Sequence, residues 1–505
     1  MELGIMNKSF GTIPRTIRMA EPPIFGPNQV DNEIELTNRQ SKNKIWQSPT
    51  GEIFRLNIPP TVYPPREDTD ILAKAILRLG PGKKRKCLEI GCGSGVLSAL
   101  AFRQGWQVTA CDINPFAVAC TRGLAEQNKI EMKVFEGGPS PKIDGDISQW
   151  TGDTKFDLIF WNLPYLKLDL TENNQTLGPL EEAGLIDTDK NGLLNRTLKI
   201  ISNGLLSDNG LALFVVSSQN EFSRYKFESY SLGLATREIS KFKFEDDEEL
   251  RVIAVWNPYA CAQKISLKTV DSTNTFLLDS NLPEGSSVYT KNQVSGHGRR
   301  NRQWIDYKES FACSWVLFNS IPNLSPGIIQ IMSGLSVIDT IKCLTQKDDK
   351  ILLKWPNDIL ISYDDKWRKV CGILIESKSS GSDNTIIAGI GINLSGEYKD
   401  NFDIPVGFVK EFSNQITFEK IHTVLNAILA SNFERIDVLP EITFNQIEKR
   451  INLELQNTFS RLNNNFYRKI PVEFSRILED GSIEIKGING EQFILDDTES
   501  INWNN

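Results

Sequence analysis

Histidine is almost absent: the 505 residues hold only His297 and His422. Two imidazoles are too few to expect a histidine-based zinc site or a catalytic triad, and no metal-ligating set stands out. Cysteine is sparse too, 8 in all, with no small-scaffold spacing, and Cys87, Cys111 and Cys313 sit inside apolar runs. Buried free thiols suit a reducing compartment rather than a disulfide framework. No apolar run reads as long enough to span a bilayer, and the first residues lack the apolar core of a signal peptide. Low-complexity tracts and repeats of solenoid period are lacking. The net charge of -8 argues against wholesale coating by nucleic acid, while leaving room for a local basic patch. The expectation is a cytoplasmic protein with no membrane partner.

The length calls for two or three domains. Residues 1–44 form a polar, proline-punctuated extension expected to wrap the surface or fray. Ile45 to Asn57 reads as a hairpin. Tyr63-Pro64-Pro65-Arg66-Glu67-Asp68-Thr69-Asp70 then leads into a helical pattern from Ile71 to Leu79. Lys86 to Ile90 reads as a strand, Gly91-Cys92-Gly93-Ser94-Gly95 as a tight turn and Val96 to Arg103 as a helix. That order presents backbone N–H groups at a helix N-terminus, ready for an anionic group. A second strand, Gln107 to Cys111, ends in Asp112, roughly 20 residues past the glycines, where a carboxylate can accept both hydroxyls of a ribose. No lysine followed by serine or threonine closes the loop, which excludes a P-loop. A third strand, Phe156 to Trp161, runs into Asn162-Leu163-Pro164-Tyr165. An asparagine oxygen and the next carbonyl can accept the two N–H bonds of a planar NH2 group, and an aromatic ring can stack on it.

Glu89 stands two residues before the first glycine, and this Glu-x-Gly-x-Gly-x-Gly order resembles S-adenosylmethionine-dependent methyltransferases. Those that modify planar amides or exocyclic amines carry Asn-Pro-Pro-Tyr where this chain has Asn-Leu-Pro-Tyr; the leucine leaves φ at 163 unlocked. The Pro-Arg-Glu-Asp-Thr-Asp segment, the glycine turn, Asp112 and Asn-Leu-Pro-Tyr follow the order of protein-glutamine methyltransferases that act on release factors. The resemblance covers about residues 45–257. It implies an α/β, Rossmann-like class I domain. It places S-adenosylmethionine against Glu89, Gly91, Gly93, Gly95, Asp112 and Asn162, makes Asn162 and Tyr165 catalytic, and points to a protein methyl acceptor such as a release factor.

The second half has its own signals. Ile265 to Val270 reads as a strand, and Ser272-Thr273-Asn274 as a helix N-cap. Gln293 to Trp304 reads Gln-Val-Ser-Gly-His-Gly-Arg-Arg-Asn-Arg-Gln-Trp. Glycines let backbone approach a ligand, and arginine forks suit phosphate oxygens; such a run is otherwise a solvated basic loop. Phe311 to Phe318 reads as a core strand and Gly327 to Cys343 as a long amphipathic helix. Ile351 to Lys354 is a strand ending in the lysine of Lys-Trp-Pro-Asn-Asp. Arg368 to Glu376 and Ile386 to Leu394 are strands whose small residues admit a ligand closely. Phe418 to Phe433 and Glu441 to Phe459 read as helices, and from Lys469 short strands turn at Asp480-Gly481 and Asn489-Gly490.

The arginine loop and Lys-Trp-Pro-Asn-Asp together resemble the two signatures of biotin protein ligases, which activate biotin as its adenylate and pass it to a lysine. The resemblance runs from about Gln263 to the end. It implies an α+β catalytic domain over 263–440, then a helical connection and small SH3-like β-barrel over 441–505. Biotin, ATP and Mg2+ would be the cofactors and a biotin carboxyl carrier protein the partner. Ser272, Thr273 and Asn274 would hold the biotin ring, with Gln293 and Gly296 beside it. Arg299 would take the activated phosphate, Arg300 would belong to the same biotin and ATP site, and Trp304 would cover the adenine. Lys354 would stabilise charge on the reacting phosphate, with Asn357 and Asp358 orienting it or the incoming amine. Lys369 would lie near the biotin carboxyl, on strands that also carry Gly372 and Asn393. His297 and Asn301 depart from the family's Gly-Arg-Gly-Arg-Arg-Gly-Arg. No helix-turn-helix precedes this core, so no DNA-binding domain is implied. The sequence thus reads as a bifunctional enzyme. The rival readings make the first half a non-catalytic binding module or a nucleic-acid-base methyltransferase.

Overall fold

The computed structural model describes residues 39–139, 147–152, 155–164, 192–218, 222–245, 247–304, 307, 309–380, 383–398, 405–462, 465–497 and 501–503. Tyr165 and nearly all of the N-terminal extension lie outside them.

The hairpin expected near Ile45 is present. Strand β1 (Lys42–Gln47) pairs antiparallel with β2 (Ile53–Ile58), and Phe54, Leu56 and Ile58 are buried in alternation with exposed neighbours, the period of a half-buried strand. Helix α1 (Glu67–Arg78) carries Glu67, Asp68 and Asp70 in its first turn, where the helix dipole favours acids. There follow β3 (Lys86–Ile90), α2 (Val96–Arg103), β4 (Gln107–Asp112), α3 (Pro115–Gln127), β5 (Met132–Glu136), β6 (Phe156–Asn162), α4 (Leu193–Ile200), β7 (Leu206–Ser217), α5 (Phe222–Ser231), β8 (Ala235–Lys243) and β9 (Glu249–Trp256). Their sheet has the order β5-β4-β3-β6-β7-β9-β8, with only β9 antiparallel to its neighbours. The apolar strands Cys87–Ile90 and Leu158–Phe160 are buried on both faces, as parallel strands under helices must be. The strand order reverses between β3 and β6, and ligand crevices of such sheets open at the carboxyl ends beside that point. The glycine turn, Asp112 and Asn162 all lie at that edge.

The second half comprises β10 (Lys264–Leu267), α6 (Thr273–Leu278), β11 (Ser287–Thr290), β12 (Glu309–Phe318), α7 (Pro326–Thr345), β13 (Ile351–Lys354), β14 (Asp358–Tyr363), β15 (Lys366–Ser380), β16 (Asp383–Ser395), α8 (Phe418–Phe433) and α9 (Phe444–Arg461). Its sheet runs β10-β11-β12-β16-β15-β14-β13 and is antiparallel apart from β10 with β11. A five-stranded antiparallel sheet ends the chain, from β17 (Phe466–Tyr467), β18 (Ile470–Ile477), β19 (Ile483–Gly487), β20 (Gln492–Leu495) and β21 (Ile501–Asn502), in the order β20-β19-β18-β17-β21.

Two expectations need correction. Helix α7 is not amphipathic: Ile328, Ile331, Leu335 and Ile338 share one buried cluster with Leu353 and Ile373 of the sheet and Leu425 and Leu429 of α8. Its Ser333, Ser336 and Thr340 hydroxyls return to carbonyls four residues back, which lets polar residues sit inside that sandwich. By length and composition α7 also matches a membrane span, contrary to the reading that no apolar run is long enough, yet 67% of its apolar window is buried within the fold. The same cluster takes in Tyr467, Val472, Ile483 and Leu495, so the terminal sheet shares a core with the segment before it.

The two halves pack together. Tyr230 of α5 meets Val424, Ala427 and Ile428 of α8. Arg237 of β8, 7% exposed, donates to the carbonyls of Ser431 (3.0 Å), Glu434 (3.0 Å), Pro440 (2.9 Å) and Ala430 (3.4 Å). A helix's last carbonyls lack partners within the helix, and a cation at the negative end of its dipole fills that need. Glu434 accepts in turn from the Trp256 indole at 2.7 Å and the Tyr259 N–H at 2.9 Å.

Candidate functional sites

In the second half a cavity of about 340 Å³ opens between the start of α6, the arginine loop, β12, β15 and β16. Of the residues predicted to contact biotin or ATP, all but Gly296 and Asn393 line it. Gly296 closes the loop instead, accepting from the Trp304 N–H at 2.8 Å. Asn393 is buried on β16 and donates to the Lys369 carbonyl at 3.4 Å.

The start of α6 is both a cap and a polar cluster. Ser272 accepts from the Thr275 N–H, while the Thr273 N–H and hydroxyl donate to Gln293 Oε1 at 2.9 and 3.1 Å. The Ser314 hydroxyl lies 2.7 Å from Thr273 Oγ1 and 2.5 Å from Asn274 Oδ1, and Asn274 donates to Glu376 at 2.6 Å. His297 Nε2 sits 3.4 Å from the other Glu376 oxygen. Sequence reasoning missed Ser314 and Glu376 because each reads as one more residue of a core strand. His422 lies away from this cluster, 3.0 Å from the Ser287 hydroxyl; burial pushes its imidazole down to about 3, so it is a neutral packing residue.

The arginine loop is held by Gly298 N–H donating to the Arg302 carbonyl at 2.7 Å. Arg300 takes a left-handed conformation, φ 55°, uncommon for a residue with a Cβ. Trp304 lies on the glycine-rich face of the sheet: a Cβ at Gly391 would come within 2.4 Å of its ring and one at Gly372 within 3.1 Å. Glycine at 391 is thus a condition of this seat. The Trp304 indole N–H is buried without a partner among the described residues.

The Lys-Trp-Pro-Asn-Asp segment turns from β13 to β14 with a cis Trp355–Pro356 bond. Trp355 is buried and donates to the Gly481 carbonyl at 3.0 Å. Asn357 exchanges backbone and side-chain bonds with Ile373, and Asp358 pairs with Lys369 at 2.7 Å. Asn357 and Asp358 thus bond to β15, and both also line the cavity with Lys354, which Asp358 faces in register across the β13–β14 pair. Arg299, Arg300, Arg302, Lys354 and Lys369 all line the cavity, and five cations around one hollow suit a polyanion.

In the first half, Asp112 accepts from the Gly93 N–H and the Asn114 N–H, both at 2.9 Å. Burial raises its carboxyl, and these backbone donors pull it back. Gly91 and Gly95 adopt φ of 62° and 79°, and a Cβ at Gly91 would meet the Trp161 indole at 2.6 Å, so the turn folds tightly onto β6. Glu89, predicted to face the cofactor, is buried and bonded to the Ser98 hydroxyl of α2. Burial lifts its carboxyl to about 8, so it carries a proton at neutral pH and ties β3 to α2. Trp161 pairs in register with Ile90, which brings Asn162 beside the glycine turn. Its Oδ1 is buried with no hydrogen-bond partner among the described residues. An orphaned acceptor of this kind costs about 1–3 kcal/mol unless a ligand fills it.

Residues 65–180 match a family model described as a methyltransferase small domain, and residues 266–393 match the biotin/lipoate A/B protein ligase family. Each half of the chain thus carries a segment that matches a different enzyme-family model. The chain is 33% identical over 133 residues to a biotin–[acetyl-CoA-carboxylase] ligase of Paracoccus denitrificans, covering 26% of this chain and 54% of that protein. It is 33% identical over 116 residues to a putative protein N5-glutamine methyltransferase of Methanocaldococcus jannaschii, covering 23% of this chain and 53% of that one. The chain thus spans about half the length of the curated relatives it matches. A solved biotin protein ligase from Aquifex aeolicus, in complex with biotin and ATP, overlaps 48% of this chain and 99% of its own at 23% identity; the TM-score of 0.37 carries no weight. The methyltransferase half and the ligase half are named accordingly below.

Proposed function

We propose that the ligase half joins biotin to ATP as biotinoyl-AMP and passes the biotinoyl group to a lysine of a biotin carboxyl carrier protein. The carrying observation is the gathering of Arg299, Arg300, Lys354 and Lys369 around the cavity that also holds the Ser272–Asn274 cap. The cap offers hydroxyl and amide groups to the edge of a neutral ring. A biotin carboxylate oxygen attacks the α-phosphorus, the α–β bridge breaks, and pyrophosphate leaves. Lys354 and the arginines stabilise the charge that develops. Mg2+ accompanies the nucleotide. When bound, it would neutralise phosphate charge beside Lys354 and the arginines. The carrier amine then attacks the mixed anhydride and releases AMP. The terminal five-stranded sheet is assigned as the small SH3-like barrel of such ligases, and the cytoplasm as the compartment. Biotin-dependent pyrophosphate release by the purified chain tests this; a chain that releases none, with carrier protein present, is not a biotin ligase.

The methyltransferase half is proposed to methylate a planar NH2 nitrogen, with a glutamine amide of a release-factor-like protein as acceptor. S-adenosylmethionine, when bound, supplies an electrophilic methyl. Gly91–Gly95 and Asp112 hold it, and the orphaned Asn162 Oδ1 accepts one N–H of the substrate amide. Labelled methyl transfer into a lysate decides the acceptor: label removed by protease supports it, and label removed by nuclease replaces it with a nucleic-acid base.

A further inference from the structure

The phosphate-binding loop of the ligase half already holds an anion of its own. Asp497, just past β20 in the terminal sheet, pairs with Arg300 and lies 3.9 Å from Arg299. Its carboxylate also lines the cavity. The same part of the chain reaches a third cation: Lys354 Nζ stands 5.6 Å from the centre of the Trp503 ring, which is fixed edge-on against Phe459 of α9. Asp497 and Trp503 thus each stand beside a cation assigned to the nucleotide's phosphates. Phe466 pairs with both Pro471 and Asn502, so the strand before Trp503 belongs to the terminal sheet. Trp355, adjacent to Lys354, is bonded to Gly481 of the same sheet.

We propose that Asp497 is an internal stand-in for phosphate, holding Arg299 and Arg300 in place and yielding them when the nucleotide's phosphates enter. The inference rests on the loop being the phosphate site. The physical reasoning is direct. A carboxylate offers two acceptor oxygens to an arginine fork, as a phosphate does. It neutralises part of the loop's charge, so every entering anion competes with it. The competition lowers affinity for free pyrophosphate, the product that must leave, and keeps two clustered arginines ordered in the empty site. Sequence alone hides this role, because the pairing joins residues 197 apart in the chain.

Inorganic pyrophosphate is the probe, titrated calorimetrically into the full chain at low and moderate salt. Wild type and Asp497→Asn are compared, with Asp497→Glu as the charge-retaining control and Asp497→Ser repeating the test should the amide perturb the turn. Removing the carboxylate that neutralises Arg299 and Arg300 is expected to tighten pyrophosphate on the order of fivefold to tenfold, less at higher salt. Asp497→Glu should stay near wild type. Turnover should show the counterpart, slower pyrophosphate release and stronger product inhibition in Asp497→Asn. Pyrophosphate binding that is unchanged or weaker in both neutral variants overturns the stand-in role and leaves the ligase reading intact. A wild-type chain that binds neither pyrophosphate nor ATP overturns both.

Discussion

The two sites handle charge in opposite ways. The ligase half gathers cations, several already paired to carboxylates: Arg299 and Arg300 to Asp497, and Lys369 to Asp358. In the methyltransferase half acids take the key positions, met by neutral donors, Asp112 by backbone N–H groups and Glu89 by Ser98. A site that binds a polyanion and expels pyrophosphate gains from internal anions that temper its charge. A site for a neutral amide and a cationic sulfonium gains from acceptors that attract no anion. The contrast follows from the ligands each half is proposed to take, and it can be broken from either side.

The largest effect is expected at Lys354. Lys354→Ala should lower biotin-dependent pyrophosphate release by about a hundredfold to a thousandfold, because it removes a cation from the reacting phosphate. Methyl transfer by the same variant should be unchanged. Next, Asn162→Ala should cut methyl transfer on the order of a hundredfold with little change in cofactor affinity, since its orphaned oxygen is assigned to the acceptor; equal loss of cofactor binding would make it a cofactor contact instead. Third, Arg237→Ala leaves the carbonyls at the end of α8 unpaired across the domain junction. It should cost on the order of 2–4 kcal/mol and split one unfolding transition in two, read by calorimetry. The smallest effect concerns Glu89. Because its folded carboxyl is raised to about 8, the stability of that half is full below the ordinary glutamate range and falls as pH rises through about 8. Glu89→Gln should flatten that fall in melting curves taken from pH 5 to 9.

Much of both sites was legible in the sequence because each ligand-facing group belongs to a short run whose local structure dictates its role. The Ser272 cap, the glycine turn and the Lys354 strand end are local events, and they stand where periodicity and capping rules place them. What was not legible depends on distant chain segments meeting. Asp497 reaches the arginine loop from 197 residues away, and Glu434 reaches Trp256 across 178; neither has a local signature. Helix α7 misled for a related reason. Its serines and threonine give it an amphipathic appearance, but a helix sandwiched between a sheet and α8 can bury hydroxyls that bond within the helix. The bond from Ser98 of α2 to the buried Glu89 carboxyl is likewise a meeting of two elements that the glycine motif does not announce.

The central claim is that one chain holds an anion-activating site and a methyl-transfer site, each with its own ligand. Equilibrium titration of the full chain with S-adenosylmethionine, before and after saturation with biotin and a non-hydrolysable ATP analogue, tests it most directly. The account predicts one S-adenosylmethionine per chain in both cases, abolished or strongly weakened in Asp112→Ala and untouched in Lys354→Ala. No binding at millimolar S-adenosylmethionine, or binding lost once the ligase site is filled, would contradict it.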